Sequence, residues 1–420
     1  MYSGLSRSKS ILIIAYHFPP VSVSSGVHRL VSLASALVQD NWAVSVISAH
    51  KRTYERIDEN TLRAVHDSVR IVRAQALDTA RHLSFKGRYF GPLALPDNLQ
   101  SWIPFGVYEG LREIRRNRPD IILSTYPVAS AHVIAIVLSR ITGIPWVADF
   151  RDPMAQEGYP KGWMKWKTFK WIERCAAKRA AKLVFTTPGA LQEYKERYPD
   201  VPDNRWGLIT NGYMEEQFHG ISQEVSVSDE LRIVHSGLIY IHERNPRQLF
   251  EALASLKQSG QFEKRTIRFV LRASGHEDTY TGWIAELGIG ALVELAPAIP
   301  YRDALQEMFN ADGLLLMQGA GCNQQIPAKA YEYLRVQKPV LALTDDAGDT
   351  AALLKEYGDA NIAPLDCATR IAAAIVEFIE RLEQRKNSPQ KTTDVTRFSR
   401  AAISREWVAQ LGELGHISSK

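Results

Sequence analysis

Short apolar runs recur along the chain, and segments with helical spacing separate several of them. In the first half the runs are ILIIAY (11–16), AVSVISA (43–49), IILSTY (121–126), WVADF (146–150) and KLVFTT (182–187). Each has the length and side-chain type of a buried strand. Between the first two, VHRLVSLASALVQ (27–39) sets Val27, Leu30, Val31, Ala34 and Leu37 along one helical face. Buried strands alternating with amphipathic helices predict parallel sheets covered by helices.

The pattern then stops and restarts. Residues 216–230, EQFHGISQEVSVSDE, are polar and without period, which predicts a linker. LRIVHSG (231–237), IRFVLRAS (267–274), VELAPA (293–298), GLLLMQ (313–318) and PVLALT (339–344) follow. The chain therefore reads as an α/β protein with two Rossmann-like units, 1–215 and 231–395, and a closing segment 396–420. Residues 75–105 carry Gly, Pro and aromatics without period and read as an irregular insertion. Ligands of open α/β sheets sit beyond the carboxyl ends of the strands, so two such units predict a site in a cleft that they face.

Composition adds limits. The length of 420 residues suits two or three domains, and 45% hydrophobic with 23% charged residues is ordinary for a soluble globular protein. The net charge of +5 is uneven: residues 1–215 hold 29 basic against 19 acidic side chains, the remainder 22 against 27. A basic half predicts contact with an anionic surface or substrate. Cys175, Cys322 and Cys367 are far apart and form no CxxC pair, which argues against a zinc or redox motif and for reduced thiols in a cytoplasmic setting. The apolar run Ile11 to Ala15 is too short for a signal-peptide core, and no run approaches the roughly 18 residues of a membrane span.

Candidate chemistry gathers where strands give way to helices. In QQIPAKAYEYLRVQKPVLAL (324–343), Pro327 suits the first turn of a helix, with Gln324, Gln325 and Ile326 just ahead of it. Such a start attracts anions, and Lys329 adds a cation. Glu332, leaning back toward the same end, suits the two hydroxyls of a ribose. The plain alternative is a Lys329–Glu332 surface pair, worth about 0.2–0.5 kcal/mol. In HSGLIYIHERNPRQLFEAL (235–253) a strand ends at Gly237, and Arg244 lies in a loop before Asn245-Pro246 starts a helix. Its guanidinium suits a diphosphate; the alternative is a solvated pair with Glu243.

WVADFRDPM (146–154) ends a strand in Asp149, Arg151 and Asp152, a cluster that suits a polar substrate or an internal ion pair. YHFPPVSVSSGVHR (16–29) places Gly26 before a helix after the first strand; it is not G-x-G-x-x-G, which argues against a dinucleotide-dependent dehydrogenase. LTDDAGDT (343–350) reads as a turn ahead of a metal site. KGWMKWKTFKWIERCAAKRAAK (161–182) interleaves Trp163, Trp166, Phe169 and Trp171 with Lys161, Lys165, Lys167 and Lys170. That suits a bilayer interface, or else a helix whose rings face the core and whose lysines are solvated. No nucleic-acid module accompanies it.

Two α/β units, the Gly26 loop, Arg244 before Asn-Pro and the run P-x-K-x-x-E-Y together resemble the family-4 glycosyltransferases of GT-B fold. TNGYMEEQF (210–218) looks like that family's crossing into the second domain, and FSRAAISREWVAQL (398–411) like its closing helix. The resemblance implies retaining transfer of a sugar from a nucleotide-diphosphate donor, without a metal or other cofactor. It implies a donor site of Gly237, Arg244, Gln324, Gln325, Ile326, Pro327, Lys329 and Glu332, and an acceptor side of Gly26, Arg151 and Asp152. Arg244, Lys329 and Asp152 are the implied catalytic residues. The family's first motif glutamate falls on Gln324, its paired glycines on Ser25-Gly26, and its His-Asp pair on Arg151-Asp152, and these are departures. The implied acceptor is a glycan or lipid-linked sugar in surface polysaccharide synthesis, met at the cytoplasmic membrane face through 161–182. A non-catalytic nucleotide-sugar scaffold, which Gln324 motivates, and a nucleotide-sugar epimerase are the alternatives.

Overall fold

The structure is a computed structural model that describes residues 8–21, 25–86, 88–224, 230–263, 266–386 and 393–415. Residues 225–229 of the linker and 416–420 of the closing segment lie outside it. The chain divides into two compact units, 1–211 with 400–420, and 212–399.

The first unit is built on seven parallel strands: β1 Ser10–Ile14, β2 Ala43–Ala49, β3 Arg70–Ala74, β4 Ile121–Thr125, β5 Trp146–Arg151, β6 Lys182–Phe185 and β7 Trp206–Leu208. Their order is β3-β2-β1-β4-β5-β6-β7, so the sheet reverses direction between β1 and β4. Every residue of β1, β4 and β6 is buried, which explains why these strands read as continuous apolar runs. Helix Arg400–Gly415 packs in this unit against helix Ser25–Gln39. The buried Arg29 guanidinium lies 5.4 Å from the Trp407 ring centroid, donates to the carbonyls of Thr210 and Ile209, and pairs with Asp149 at 3.4 Å.

The second unit has six parallel strands: β8 Glu230–Ser236, β9 Thr266–Arg272, β10 Val293–Ala296, β11 Gly313–Met317, β12 Val340–Leu343 and β13 Ala360–Ala363. The order β10-β9-β8-β11-β12-β13 again reverses beside the first strand, between β8 and β11. A switch point of this kind leaves a crevice at the strand ends. The chain enters and leaves this unit side by side, with the Tyr213 N–H donating to the Phe398 carbonyl at 3.0 Å. The chain just before the linker and its start lie along the same unit: Glu215 pairs with Arg335 at 2.6 Å, and Phe218 is buried.

Candidate functional site

The carboxyl ends of β8 and β11 set the position of the cations. β8 and β11 are paired only as far as Val234↔Leu314. Beyond that point His235, fully buried, places Nδ1 2.9 Å from the Leu315 carbonyl oxygen. The His235 Nε2 lies 3.1 Å from the Lys329 Nζ. Gly237 follows with φ +108°, a conformation suited to glycine, and a Cβ there would lie 3.5 Å from the Lys329 Nζ. The backbone thus passes close to the ammonium.

The loop after Gly237 carries Arg244. The Tyr240 carbonyl accepts from the Arg244 N–H at 2.7 Å, and the guanidinium lies 5.7 Å from the Tyr240 ring centroid. The Arg244 Nε is buried without a hydrogen-bond partner. Asn245 Oδ1 accepts from the Arg247 N–H at 3.0 Å, and the helix runs over Arg247–Gln258, so Pro246 stands just before the helix. A Cβ on Gly319 would overlap the Glu243 carbonyl oxygen; only glycine lets the Arg244 loop and the loop after β11 approach so closely.

That second loop leads to the helix start. The buried Gln318 donates through Nε2 to the carbonyls of Cys322 and Gln325, each at 2.8 Å, and the Thr350 hydroxyl donates to Gln325 O at 3.1 Å. Asn323 donates to Asp345 at 2.6 Å, while the other Asp345 oxygen accepts from the Ala347 N–H. Within 343–350, residues 344–348 turn the chain from β12 into helix Asp349–Tyr357. The helix spans Ala328–Val336, one residue later than the sequence places it, and Pro327 is its extended N-cap. No side chain caps it, so the first N–H groups point out of the helix start. Ile326 packs into the apolar core beside Ala330 and Tyr331, which leaves its backbone for any ligand. The Tyr301 hydroxyl donates to Glu332 Oε1 at 2.6 Å.

Lys329 shows the electrostatic result. Burial of its ammonium and the nearby Arg244 charge lower its pKa to about 7, against the opposing pull of Glu332. No carboxylate among the described residues lies within ion-pair distance of Arg244 or Lys329. Gly237, Arg244 and Glu332 thus all lie near Lys329, beyond the ends of β8 and β11.

The first unit holds its own cluster at the end of β5. Asp149 is occupied structurally, accepting from Thr125 at 3.0 Å and facing Arg29. Arg151 has φ +57°, an uncommon conformation for a side chain of its size, and its buried Nε has no partner. Burial raises the Asp152 carboxyl above the usual range, although Arg151 opposes this. Gly26 is buried as the second residue of its helix. Sequence reasoning passes over His17, which burial and Arg151 hold down to about 4, and over His235 and Tyr301. The signal for His17 and His235 is a histidine just past, or at, the end of a unit's first strand; Tyr301 leaves none.

Residues 26–212 match the family described as glycosyl transferase 4-like domain. That match lies within the first unit, apart from its last residue. No curated protein sequence matches it. Among solved structures, sucrose-phosphate synthase (tll1590) from Thermosynechococcus elongatus is similar at 14% identity and TM-score 0.64, over 98% of each chain. Anabaena Alr3699/HepE in complex with UDP and glucose is similar at 14% identity and TM-score 0.66, over 96% of this chain and 100% of that one. A putative UDP-N-acetylglucosamine 2-epimerase from Listeria monocytogenes is similar at 10% identity and TM-score 0.61, over 98% of each. These likenesses show the fold, which is GT-B, and bear out the α/β reading with two parallel-sheet domains. The glycosyl transferase 4-like domain bears out the resemblance read from the sequence.

Proposed function

We propose that this chain is a retaining glycosyltransferase that takes a sugar from a nucleoside diphosphate sugar and passes it to a glycan or lipid-linked acceptor in surface polysaccharide synthesis. The observation that carries the donor half is the approach of two cations, Arg244 and Lys329, to one uncapped helix start, with no carboxylate within ion-pair distance of either among the described residues. Two like charges held together this way are relieved by an anion. The diphosphate fits in charge, and the guanidinium supplies paired donors.

As the glycosidic bond breaks, charge grows on the departing diphosphate, and fixed cations act most strongly there. Arg244 and Lys329 meet that charge, together with the N–H groups after Pro327. Glu332 accepts from the ribose hydroxyls, and Gln324 with Gln325 meets the donor sugar. Gly237 lets the backbone come close. In the first unit Gly26, Arg151 and Asp152 serve the acceptor, with Asp152 orienting its hydroxyl. The acceptor oxygen bonds to the anomeric carbon on the face that the phosphate leaves and passes its proton to that phosphate, so the anomeric configuration is kept. Anabaena Alr3699/HepE was solved with UDP and with UDP-glucose, which makes uridine diphosphate sugars the first donors to test.

An anionic membrane surface fits helix Trp163–Arg179. Trp163 is 67% exposed and Trp166 and Trp171 stand out beside it, while Phe169 and Ile172 are buried on the opposite side. Lys167 lies 4.5 Å from the Trp163 ring centroid. The buried Glu173 fixes the helix by accepting from Tyr194, Tyr198, Arg197 and Lys170. Among the described residues no helix is long and apolar enough to cross a membrane.

A thermal-shift screen of nucleoside diphosphates and their sugars tests the donor reading, since a bound ligand raises stability by mass action. A rise with at least one nucleoside diphosphate sugar is expected; none across the set contradicts the reading. Conversion of the sugar without an acceptor, followed by NMR, assigns epimerisation in place of transfer.

A further inference from the structure

We infer that His235 is a positioning residue for Lys329: its Nε2 accepts a hydrogen bond from the ammonium and keeps it turned toward Gly237 and the diphosphate. This rests on the donor reading above for its ligand, though not for its geometry.

The proton positions follow from the partners. The Leu315 carbonyl only accepts, so His235 Nδ1, 2.9 Å away, carries the hydrogen. A neutral ring then presents a lone pair at Nε2, and Lys329 donates across 3.1 Å. Burial and the charges of Lys329 and Arg244 hold His235 well below the usual histidine range, which keeps the ring neutral. The Leu315 carbonyl also accepts from the Tyr333 hydroxyl at 3.2 Å. Tyr333 lies one turn after Lys329 on the same helix, so one carbonyl fixes both the imidazole and the helix that carries the lysine. The charged and titratable groups facing Lys329 are His235 from β8, Arg244 from the loop after it and Glu332 from its own helix.

Lys329 has three hydrogens. One goes to His235, which leaves two for phosphate oxygens and removes the ammonium's freedom to swing away. The arrangement also favours the charged lysine, because a hydrogen bond to an ammonium stabilises the protonated form.

The test uses two substitutions in the whole chain. In His235→Asn the shorter amide still reaches the Leu315 carbonyl but not Lys329. In His235→Gln the side-chain oxygen reaches the former place of Nε2. An NMR titration of the Lys329 side chain, without ligand, is expected to give a lower midpoint for His235→Asn than for wild type. His235→Gln is expected to restore the wild-type midpoint. UDP affinity by calorimetry at pH 6.5 is expected to fall about tenfold in His235→Asn, the loss of one charge-assisted hydrogen bond, and to recover at least half of that loss in His235→Gln. A wild-type midpoint together with wild-type affinity in His235→Asn overturns the inference. If wild-type protein binds no nucleoside diphosphate, the donor reading fails, and the ligand-free midpoints still decide whether His235 holds Lys329.

Discussion

The Tyr301 hydroxyl and the Glu332 carboxylate are joined at 2.6 Å across two helices of the second unit, Tyr301–Asn310 and Ala328–Val336. The acid proposed to clasp the ribose is therefore aimed before any ligand arrives. Glu332→Ala is expected to weaken UDP binding about tenfold to a hundredfold, the range for losing hydrogen bonds to a charged group. Wild type is expected to lose as much on 2′,3′-dideoxy-UDP, and Glu332→Ala little further. Calorimetry on the four combinations checks this; additive losses place the carboxylate elsewhere.

Gly319 lies against the Glu243 carbonyl. Gly319→Ala forces two loop backbones apart and carries Arg244 with it. UDP affinity is expected to fall at least about tenfold, in keeping with the sensitivity of bound geometry to small displacements. The melting temperature should fall as well, because the overlap is with backbone and no side chain can turn to relieve it. Calorimetry and a melting curve on the same preparation read both quantities.

Much of this architecture is legible in the sequence, and the reason is burial. AVSVISA (43–49) matches β2 Ala43–Ala49, and IILSTY (121–126) overshoots β4 by one residue. Strands covered on both faces need continuous apolar runs. The strands that escape notice lie at sheet edges: β3 Arg70–Ala74 has charged residues at two of five positions, and β7 Trp206–Leu208 and β13 Ala360–Ala363 are three and four residues long. An edge strand has one neighbour and weaker burial, so its pattern fades. At the site, Arg244, Lys329 and Glu332 stand out because charge at a strand-to-helix step is unusual. The His235 bond to Lys329 spans 94 residues, and nothing local announces it.

The lowered pKa of Lys329, about 7, sets a stability profile. In the unfolded chain the lysine titrates near 10.4, so between about pH 7 and 10.4 the unfolded state binds more protons. This term therefore adds stability as pH rises through that window, and its penalty is full below it. Lys329→Met removes the penalty. Its melting temperature is expected to exceed that of wild type most below pH 7, with the gap closing toward pH 10. Melting curves over that range check the sign, and a gap that widens with pH contradicts it.

The exposed rings of Trp163 and Trp166 predict membrane contact. Wild-type protein should float with vesicles of anionic lipid at low salt and less at high salt, as screening shortens the reach of the lysines. The double variant Trp163→Ser, Trp166→Ser should stay at the bottom of the gradient. Equal flotation of both proteins, or none by wild type, removes the membrane part of the reading and leaves the donor site untouched.

Calorimetric titration of UDP and UMP into wild type and Arg244→Ala tests the donor grip most directly. Wild type should bind the diphosphate at least about tenfold more tightly than the monophosphate, as a charge-assisted guanidinium contact requires. Arg244→Ala should lose that preference and all sugar transfer while keeping its fold. Equal affinity for the two nucleotides in wild type, or an unchanged preference in the variant, contradicts it.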